Sequence, residues 1–257
     1  MSRNILQGLV GAWCPTLGPS GYTLLDRSGR GNHGALTNMD AGTDWVGAPG
    51  GWALDFDGVN DKVVASHGLG TGVATATFGF WAHKASAGSI AICSIGSETS
   101  NSRFHTSWFS DGNVYCTVEN GSGSFGSVAL SYSNTMIHFV MAYDGGQSTN
   151  ATRLRLYVNG REQTLSFSGT IPSTAISSSV VAIGAGSGVY AAAKIADVSL
   201  FRSALNSTQV WQLFQLGPSG LGRLLTPQRR SYAFKVPAAV KSYLFVNRGQ
   251  VIGGGTL

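Results

Sequence analysis

Short apolar runs of period two, interrupted by glycine, asparagine or aspartate, recur along most of the chain. Successive side chains of a strand point to opposite faces, so this pattern predicts many short strands joined by tight turns. Ala76-Thr-Phe-Gly-Phe-Trp-Ala-His83 puts Phe78 and Phe80 on one face and Trp81 and His83 on the other, with both faces apolar enough to be buried. Arg103-Phe-His-Thr-Ser-Trp-Phe109 and Asn113-Val-Tyr-Cys-Thr-Val118 flank Asp111-Gly112, a dipeptide that tolerates positive φ and suits a hairpin turn. Arg153-Leu-Arg-Leu-Tyr-Val158, Asn159-Gly160 and Gln163-Thr-Leu-Ser-Phe167 repeat the signal. Ala53-Leu-Asp-Phe-Asp-Gly58 and Asp61-Lys-Val-Val-Ala65 flank a turn at Asp57-Gly-Val-Asn60. Lys194-Ile-Ala-Asp-Val-Ser-Leu-Phe201 reads as a final strand. Asn206 then stands three residues before Gln209 in the manner of a capping box, which predicts one short helix near residues 206–216. Val210, Leu213 and Phe214 give it an apolar face, and Gly217-Pro218 ends it.

At 257 residues the chain can enclose one generous core. Charged residues make up 11% of it, a scarcity that fits strands and turns better than long helices. These features predict an all-β sandwich or barrel over residues 1–216, followed by an extension over 217–257. The charge is unevenly placed: residues 1–216 carry 11 Lys/Arg against 12 Asp/Glu, whereas the extension carries Arg223, Arg229, Arg230, Lys235, Lys241 and Arg248 with no acid. A basic tail on a near-neutral body implies a local acidic partner, not nucleic-acid binding by the whole molecule.

Several stretches together resemble the laminin-G-like, or concanavalin A-like lectin/glucanase, superfamily. They are Gly8-Leu-Val-Gly-Ala-Trp13, Leu25-Asp-Arg-Ser-Gly-Arg-Gly-Asn-His-Gly34, Ala53-Leu-Asp-Phe-Asp-Gly-Val-Asn-Asp61, Phe78-Gly-Phe-Trp81, Leu154-Arg-Leu-Tyr-Val-Asn-Gly160 and Ile195-Ala-Asp-Val-Ser-Leu-Phe-Arg-Ser-Ala-Leu205. The resemblance implies a two-sheet antiparallel jelly roll with curved faces. Similar proteins usually have two adjacent acids in the last strand, where this chain has Ala196-Asp197; the missing charge argues against a calcium or ion-pair role there. The opening Gly-Leu-Val-Gly-Ala-Trp and the Arg-rich, Pro-Ala-containing tail also resemble proteins of bacteriophage structural regions, which implies a virion surface component such as a capsid decoration or tail protein.

Glycoside hydrolysis needs two carboxylates flanking the sugar bond, roughly 5–10 Å apart. Glu98, Glu119 and Glu162 have no acid two or four residues away, so the catalytic strand of the glucanase branch is absent. His33, His67, His83, His105 and His138 never pair at helical spacing or flank a nucleophile motif, and they read as structural. No Gly-x-Ser-x-Gly elbow appears in a strand-to-helix context, and Gly184-Ala-Gly-Ser-Gly188 is not followed by a helix as a phosphate cradle would be. Asp57, Asn60 and Asp61 collect oxygen ligands that suit Ca²⁺; the competing reading is a polar turn whose side chains bond their own backbone. No other cofactor is expected. Cys14, Cys93 and Cys116 lack metal spacing and read as buried fillers.

Trp45, Trp52 and Trp108 are the candidates for stacking on sugar rings, with core burial as the competing role, while Trp13, Trp81 and Trp211 sit in runs that read as core. In the extension, Arg223, Arg229, Arg230, Tyr232, Phe234, Lys235, Lys241 and Phe245 are the candidates for anchoring a partner. Tyr232-Ala-Phe-Lys-Val236 and Lys241-Ser-Tyr-Leu-Phe-Val246 alternate in a way that suits strand addition to an exposed edge, either on a neighbour or back on the body. The N-terminus lacks an uninterrupted apolar stretch and no run approaches a membrane span, so a soluble protein without secretory signal or membrane insertion is expected.

The reading that results is a non-catalytic virion surface protein, made in the host cytoplasm, that presents a lectin-like sandwich. Its partners would be other virion proteins, or copies of itself, bound through the extension, together with cell-surface glycans. The alternatives are a carbohydrate-binding lectin module of a bacterial protein and a glycoside hydrolase.

Overall fold

Two antiparallel sheets stacked face to face dominate the computed structural model, which describes residues 3–66, 69, 72–96, 103–120, 123–175, 180–225, 243–246 and 250–253. The chain begins with a 3-10 turn at Arg3–Leu6, β1 (Leu9–Trp13), a second 3-10 turn at Pro15–Leu17, β2 (Thr23–Leu24), β3 (Gly34–Thr37) and β4 (Trp45–Ala48). It continues through β5 (Gly51–Asp57), β6 (Lys62–Ser66), β7 (Thr75–Lys84), β8 (Ala91–Gly96), β9 (Arg103–Trp108), β10 (Asn113–Glu119), β11 (Gly123–Ala129) and β12 (Ile137–Asp144). After α1 (Asn150–Arg153) come β13 (Leu154–Val158), β14 (Arg161–Gln163), β15 (Ser166–Ser168), β16 (Val180–Ile183), β17 (Ala185–Gly186), β18 (Val189–Tyr190) and β19 (Ala192–Phe201). Two helices, α2 (Ser207–Leu216) and α3 (Gly220–Leu225), precede the tail strands β20 (Tyr243–Val246) and β21 (Gln250–Gly253).

The first sheet runs β14-β13-β12-β7-β19-β5-β4, with β1 also on β19; the second runs β15-β11-β10-β9-β8-β16-β6-β3-β2. Phe78, Phe80 and Phe139 from the first sheet meet Phe104, Trp108, Val114 and Cys116 from the second in one buried core. Full burial of each large apolar side chain stabilises the fold by about 1.5–3 kcal/mol. The first sheet is covered on its outer face as well. There Val140, Ala142, Tyr157 and Phe201 pack under Val210 and Leu213 of α2 and Leu221 of α3. That double burial is why β7 and β12 read as near-continuous apolar runs. The outer face of the second sheet carries polar and aromatic side chains together, among them His105, Tyr115, Thr117 and Phe125.

Local sequence accounts for the turns. Asn159 and Gly160 both have left-handed backbone (φ 49° and 75°), and Gly112 has φ 82°, as the two hairpins between β13 and β14 and between β9 and β10 require. Asn206 accepts from Gln209 N while Asn206 N donates to Gln209 Oε1, both at 3.0 Å. The helix ends on Gly217 at φ 73°. Asp26 organises the loop after β2: its Oδ1 accepts from Ala12 N and Ser28 N, and its Oδ2 from Ser28 Oγ and Asn32 N.

Two expectations change. Gln163-Thr-Leu-Ser-Phe167 is not one strand: the chain leaves the first sheet after Gln163 and enters the second at Ser166. The Asp57–Asn60 turn stands where the sequence puts it, and it carries the chain from one sheet to the other, since β5 and β6 pair in different sheets. The body also extends beyond residue 216. Its compact unit is Met1–Thr226, because α3 buries Leu221 in the cluster that holds Cys14 and Leu205. A second compact unit is Pro227–Leu257, within which β20 pairs antiparallel with β21.

A candidate binding groove

Strand alternation builds a site on the outer face of the second sheet. In β10, Val114, Cys116 and Val118 point into the core, which sends Tyr115, Thr117 and Glu119 outward. In β9 the inward set is Phe104 and Trp108, so His105 faces outward with them. Register places His105 opposite Thr117, and Thr117 opposite Phe125 of β11. These residues, with Phe109, Asp111, Gly123 and Ser187, line a groove of about 410 Å³.

Three rings form one side. Phe109 and Tyr115 lie 5.6 Å apart at 90°, and Tyr115 and Phe125 lie 5.5 Å apart at 69°, the edge-to-face arrangement that aromatic quadrupoles favour. Tyr115 donates its hydroxyl to Asp111 Oδ2 at 2.7 Å, and Asn113 N donates to Asp111 Oδ1 at 2.8 Å. The Asn113 backbone bond, with the Tyr115 hydroxyl contributing, holds the Asp111 carboxyl below the usual range. The bond to Asp111 in turn pushes the Tyr115 phenol up, so Tyr115 remains a donor and Asp111 an anion at neutral pH. His105, Thr117 and Glu119 are buried polar residues at the groove.

Beneath the groove, Lys84 is fully buried at the end of β7. Its ammonium donates to Phe109 O at 2.8 Å and stands 4.5 Å from the centre of the Trp108 ring. Burial lowers its pKa, and the charge of Asp111 opposes that effect. Lys84 thus ties the first sheet to the turn that carries Phe109 and Asp111.

The predicted sugar-stacking residues are mostly corrected. Trp108 is 1% exposed and Trp45 5%; both face the core, and Trp45 Nε1 donates to Gly21 O, so neither offers a face to a sugar. Trp52 is 39% exposed but lies beside Gly18, not among the groove's lining residues. Trp211, expected in the core, is 43% exposed and packs against Phe214.

At the candidate calcium turn, Asp57 Oδ1 accepts from Val59 N and Asn60 N, and Asp61 Oδ2 accepts from Asp57 N. Asn60 contributes its backbone oxygen to Asn38 Nδ2, and burial pushes the Asp61 carboxyl up. The turn thus uses these carboxylates as backbone acceptors. Among the described residues no group of three His, Cys, Asp or Glu is arranged to hold a metal.

Asp197 sits at φ 42° in an irregularity of β19, where the neighbour on one edge changes from β5 to β1. It is buried and accepts from Thr16 Oγ1. Of the tail candidates, Arg223 is exposed on α3 and Phe245 stands in β20. Arg229, Arg230, Tyr232, Phe234, Lys235 and Lys241 lie outside the described residues. Among the described residues no helix is long and apolar enough to cross a membrane.

The groove residues Phe109, Tyr115 and Phe125 were missed as site candidates from sequence. The available signal was parity: Tyr115 and Thr117 alternate against Val114, Cys116 and Val118. The same parity puts Trp108 in phase with Phe104, on the core side.

Residues 57–211 match the Laminin_G_3 family, described as the Concanavalin A-like lectin/glucanases superfamily, and the chain belongs to that family. Among solved structures it is similar to the botulinum neurotoxin type G receptor binding domain, at 15% identity and TM-score 0.58, covering 82% of this chain and 51% of that one. It is also similar to the botulinum neurotoxin serotype D ligand binding domain in complex with N-acetylneuraminic acid, at 12% identity and TM-score 0.61, covering 82% and 52%. The chain spans about half the length of these domains, and likeness at such identities speaks for the fold alone. No curated protein matches the chain in sequence.

Proposed function

We propose that this chain is a non-catalytic carbohydrate-binding module displayed on the surface of a bacteriophage particle, with the groove over β9–β11 as its glycan site. The observation that carries the reading is the row Phe109–Tyr115–Phe125 beside the polar residues His105, Thr117 and Glu119. Aromatic rings offer apolar area to the C–H side of a sugar, while a few placed polar groups orient its hydroxyls. The formally charged lining side chains, Asp111 and Glu119, are both acids, which favours neutral glycans over anionic ones. In this the groove differs from what an acidic sugar such as N-acetylneuraminic acid, present in the serotype D complex, would call for.

Glycan hydrolysis is the weaker reading. Asp111 precedes β10 and Glu119 ends it. Both oxygens of Asp111 are taken, by the Tyr115 hydroxyl and by Asn113 N, and its carboxyl is held below the usual range, so it does not supply the protonated carboxyl that glycosidic cleavage needs as its general acid. Display on a particle is supported by the separate compact unit Pro227–Leu257 and by the acid-free, basic composition of residues 217–257.

The test is a glycan array probed with the full chain and with Tyr115→Ala and Phe125→Ala. Selective binding of neutral oligosaccharides that falls about tenfold or more in both variants is expected, in keeping with loss of ~1.4 kcal/mol of ring contact. Binding untouched by either variant would remove the groove from the account. Sugar release that vanishes in Glu119→Gln would replace the binding role with catalysis. Separately, purified particles should contain the full chain and lack one ending at Thr226.

A further inference from the structure

The glycine-rich stretch Gly184-Ala-Gly-Ser-Gly188 lies outside both main sheets. It makes the small hairpin β17–β18, in which Ala185 pairs with Tyr190 and Gly186 with Val189. Ser187 and Gly188 at its tip are both left-handed, at φ 57° and 75°, the geometry of the tightest two-residue turns.

The base of this hairpin is fastened to the second sheet. Gly184 N donates to Ile92 O at 3.0 Å, and Ser94 Oγ donates to Ala185 O at 2.8 Å. Gly186 lies so close to β8 that an added Cβ would stand 2.9 Å from Ser94 Cβ and 3.1 Å from Ile92 Cδ1. The tip differs: a Cβ on Gly188 would meet nothing within 4 Å. Ser187 is half-buried and lines the groove together with His105, Tyr115 and Glu119.

We infer that the β17–β18 hairpin is the selective wall of the groove, and that Ser187 reads the hydroxyl configuration of a neutral sugar laid on the Tyr115 ring. The inference rests on the groove being a glycan site. Ring stacking selects which C–H face of a sugar lies on the aromatic ring, but it makes no directed bond to an individual hydroxyl. A serine hydroxyl both donates and accepts, so it discriminates between an axial and an equatorial sugar hydroxyl. A site that hydrogen-bonds a ligand hydroxyl rejects the analogue that misplaces it, because the buried polar partner is then left unmatched. The fastened base supplies the rigidity that such discrimination needs.

The experiment compares the unaltered chain with Ser187→Gly, Ser187→Asn and Tyr115→Ala on an array of epimeric neutral oligosaccharides, with titration of the strongest ligand. Glycine and asparagine both accept left-handed backbone, so each variant keeps the turn, and unchanged thermal unfolding verifies it. Ser187→Gly is expected to weaken the preferred ligand by about three- to tenfold, the scale of one net hydrogen bond, and to flatten the preference among epimers. Ser187→Asn is expected to reorder that preference. If Tyr115→Ala abolishes binding while both Ser187 variants keep the wild-type ranking, the wall role is overturned and the glycan groove stands. If no variant alters binding, or the unaltered chain binds no sugar on the array, the groove reading and the wall role fall together.

Discussion

The ammonium of Lys84 stands 4.5 Å from the centre of the Trp108 ring, inside the sandwich and out of reach of solvent. The pair joins the two sheets, and the same ammonium holds Phe109 O at the edge of the groove. Lys84→Met keeps the apolar stem and removes the charge, the ring contact and the hydrogen bond. Relief of the desolvation cost offsets those losses, so stability is expected to change by no more than about 2 kcal/mol in denaturant titration. The turn that carries Phe109 and Asp111 loses its tie, and glycan affinity should fall by about three- to tenfold. Affinity equal to wild type would show that the turn holds its place without Lys84.

Asp197 gives the fold a dependence on pH. Burial raises its carboxyl from 3.8 to about 7, against the opposing bond from Thr16. The proton is bound more tightly in the folded state, so the contribution of Asp197 is fully present below pH 3.8 and is lost as pH rises through about 7. Asp197→Asn keeps the acceptor for Thr16, tolerates the left-handed backbone and does not titrate. The variant is expected to gain on wild type across that window, reaching about 2–4 kcal/mol at pH 8. Thermal unfolding of both proteins at pH 4.5 and pH 8 tests this; an equal difference at the two pH values would rule it out.

His138 acts in the opposite direction. Its ring packs against Trp81 at 4.7 Å and Phe214 at 6.1 Å, which also stack on each other at 5.8 Å, and burial pulls its pKa from 6.5 to about 3. The neutral ring is required in the fold, so its contribution is present above pH 6.5 and is lost as pH falls toward 3. His138→Phe fits the stack and should make unfolding less steep on acidification across this range. Because Asp197 and His138 slope oppositely between pH 3.8 and 6.5, each is resolved by its own variant and not by the wild-type curve. A variant with the same acid limb as wild type would refute the assignment.

The end of the body is testable by truncation. A chain stopped after Leu216 lacks α3 and the buried Leu221, whereas one stopped after Thr226 keeps them. The shorter chain is expected to be less stable by about 2–3 kcal/mol, the scale of one fully buried leucine. Coincident denaturation midpoints would place the boundary back at residue 216.

What could be read in advance was whatever short-range chemistry decides. The turns at Asp111-Gly112 and Asn159-Gly160 need positive φ, and the Asn206/Gln209 box closes over one helical turn. What escaped depends on partners distant in sequence. Trp211 repeats with a helical face, yet α2 turns it outward because Val210 and Leu213 already fill the contact. Lys84 looks like an ordinary polar end to a strand until Phe109 and Trp108, from the opposite sheet, close around it. The groove needs three strands in register plus a hairpin that arrives more than fifty residues later, and no local window contains all four.

The pairing of β1 with β19, Leu9 opposite Phe201 and Trp13 opposite Val198, bears on how the protein is made. During synthesis β1 leaves the ribosome long before β19, and until then its native contacts are local ones, the bridge from Trp13 to Asp26 and the bond from Arg27 N to Ala12 O. The nascent chain must therefore carry an unmatched edge through most of translation, and closure comes late and slowly, as expected where the decisive contacts span the greatest distance in sequence.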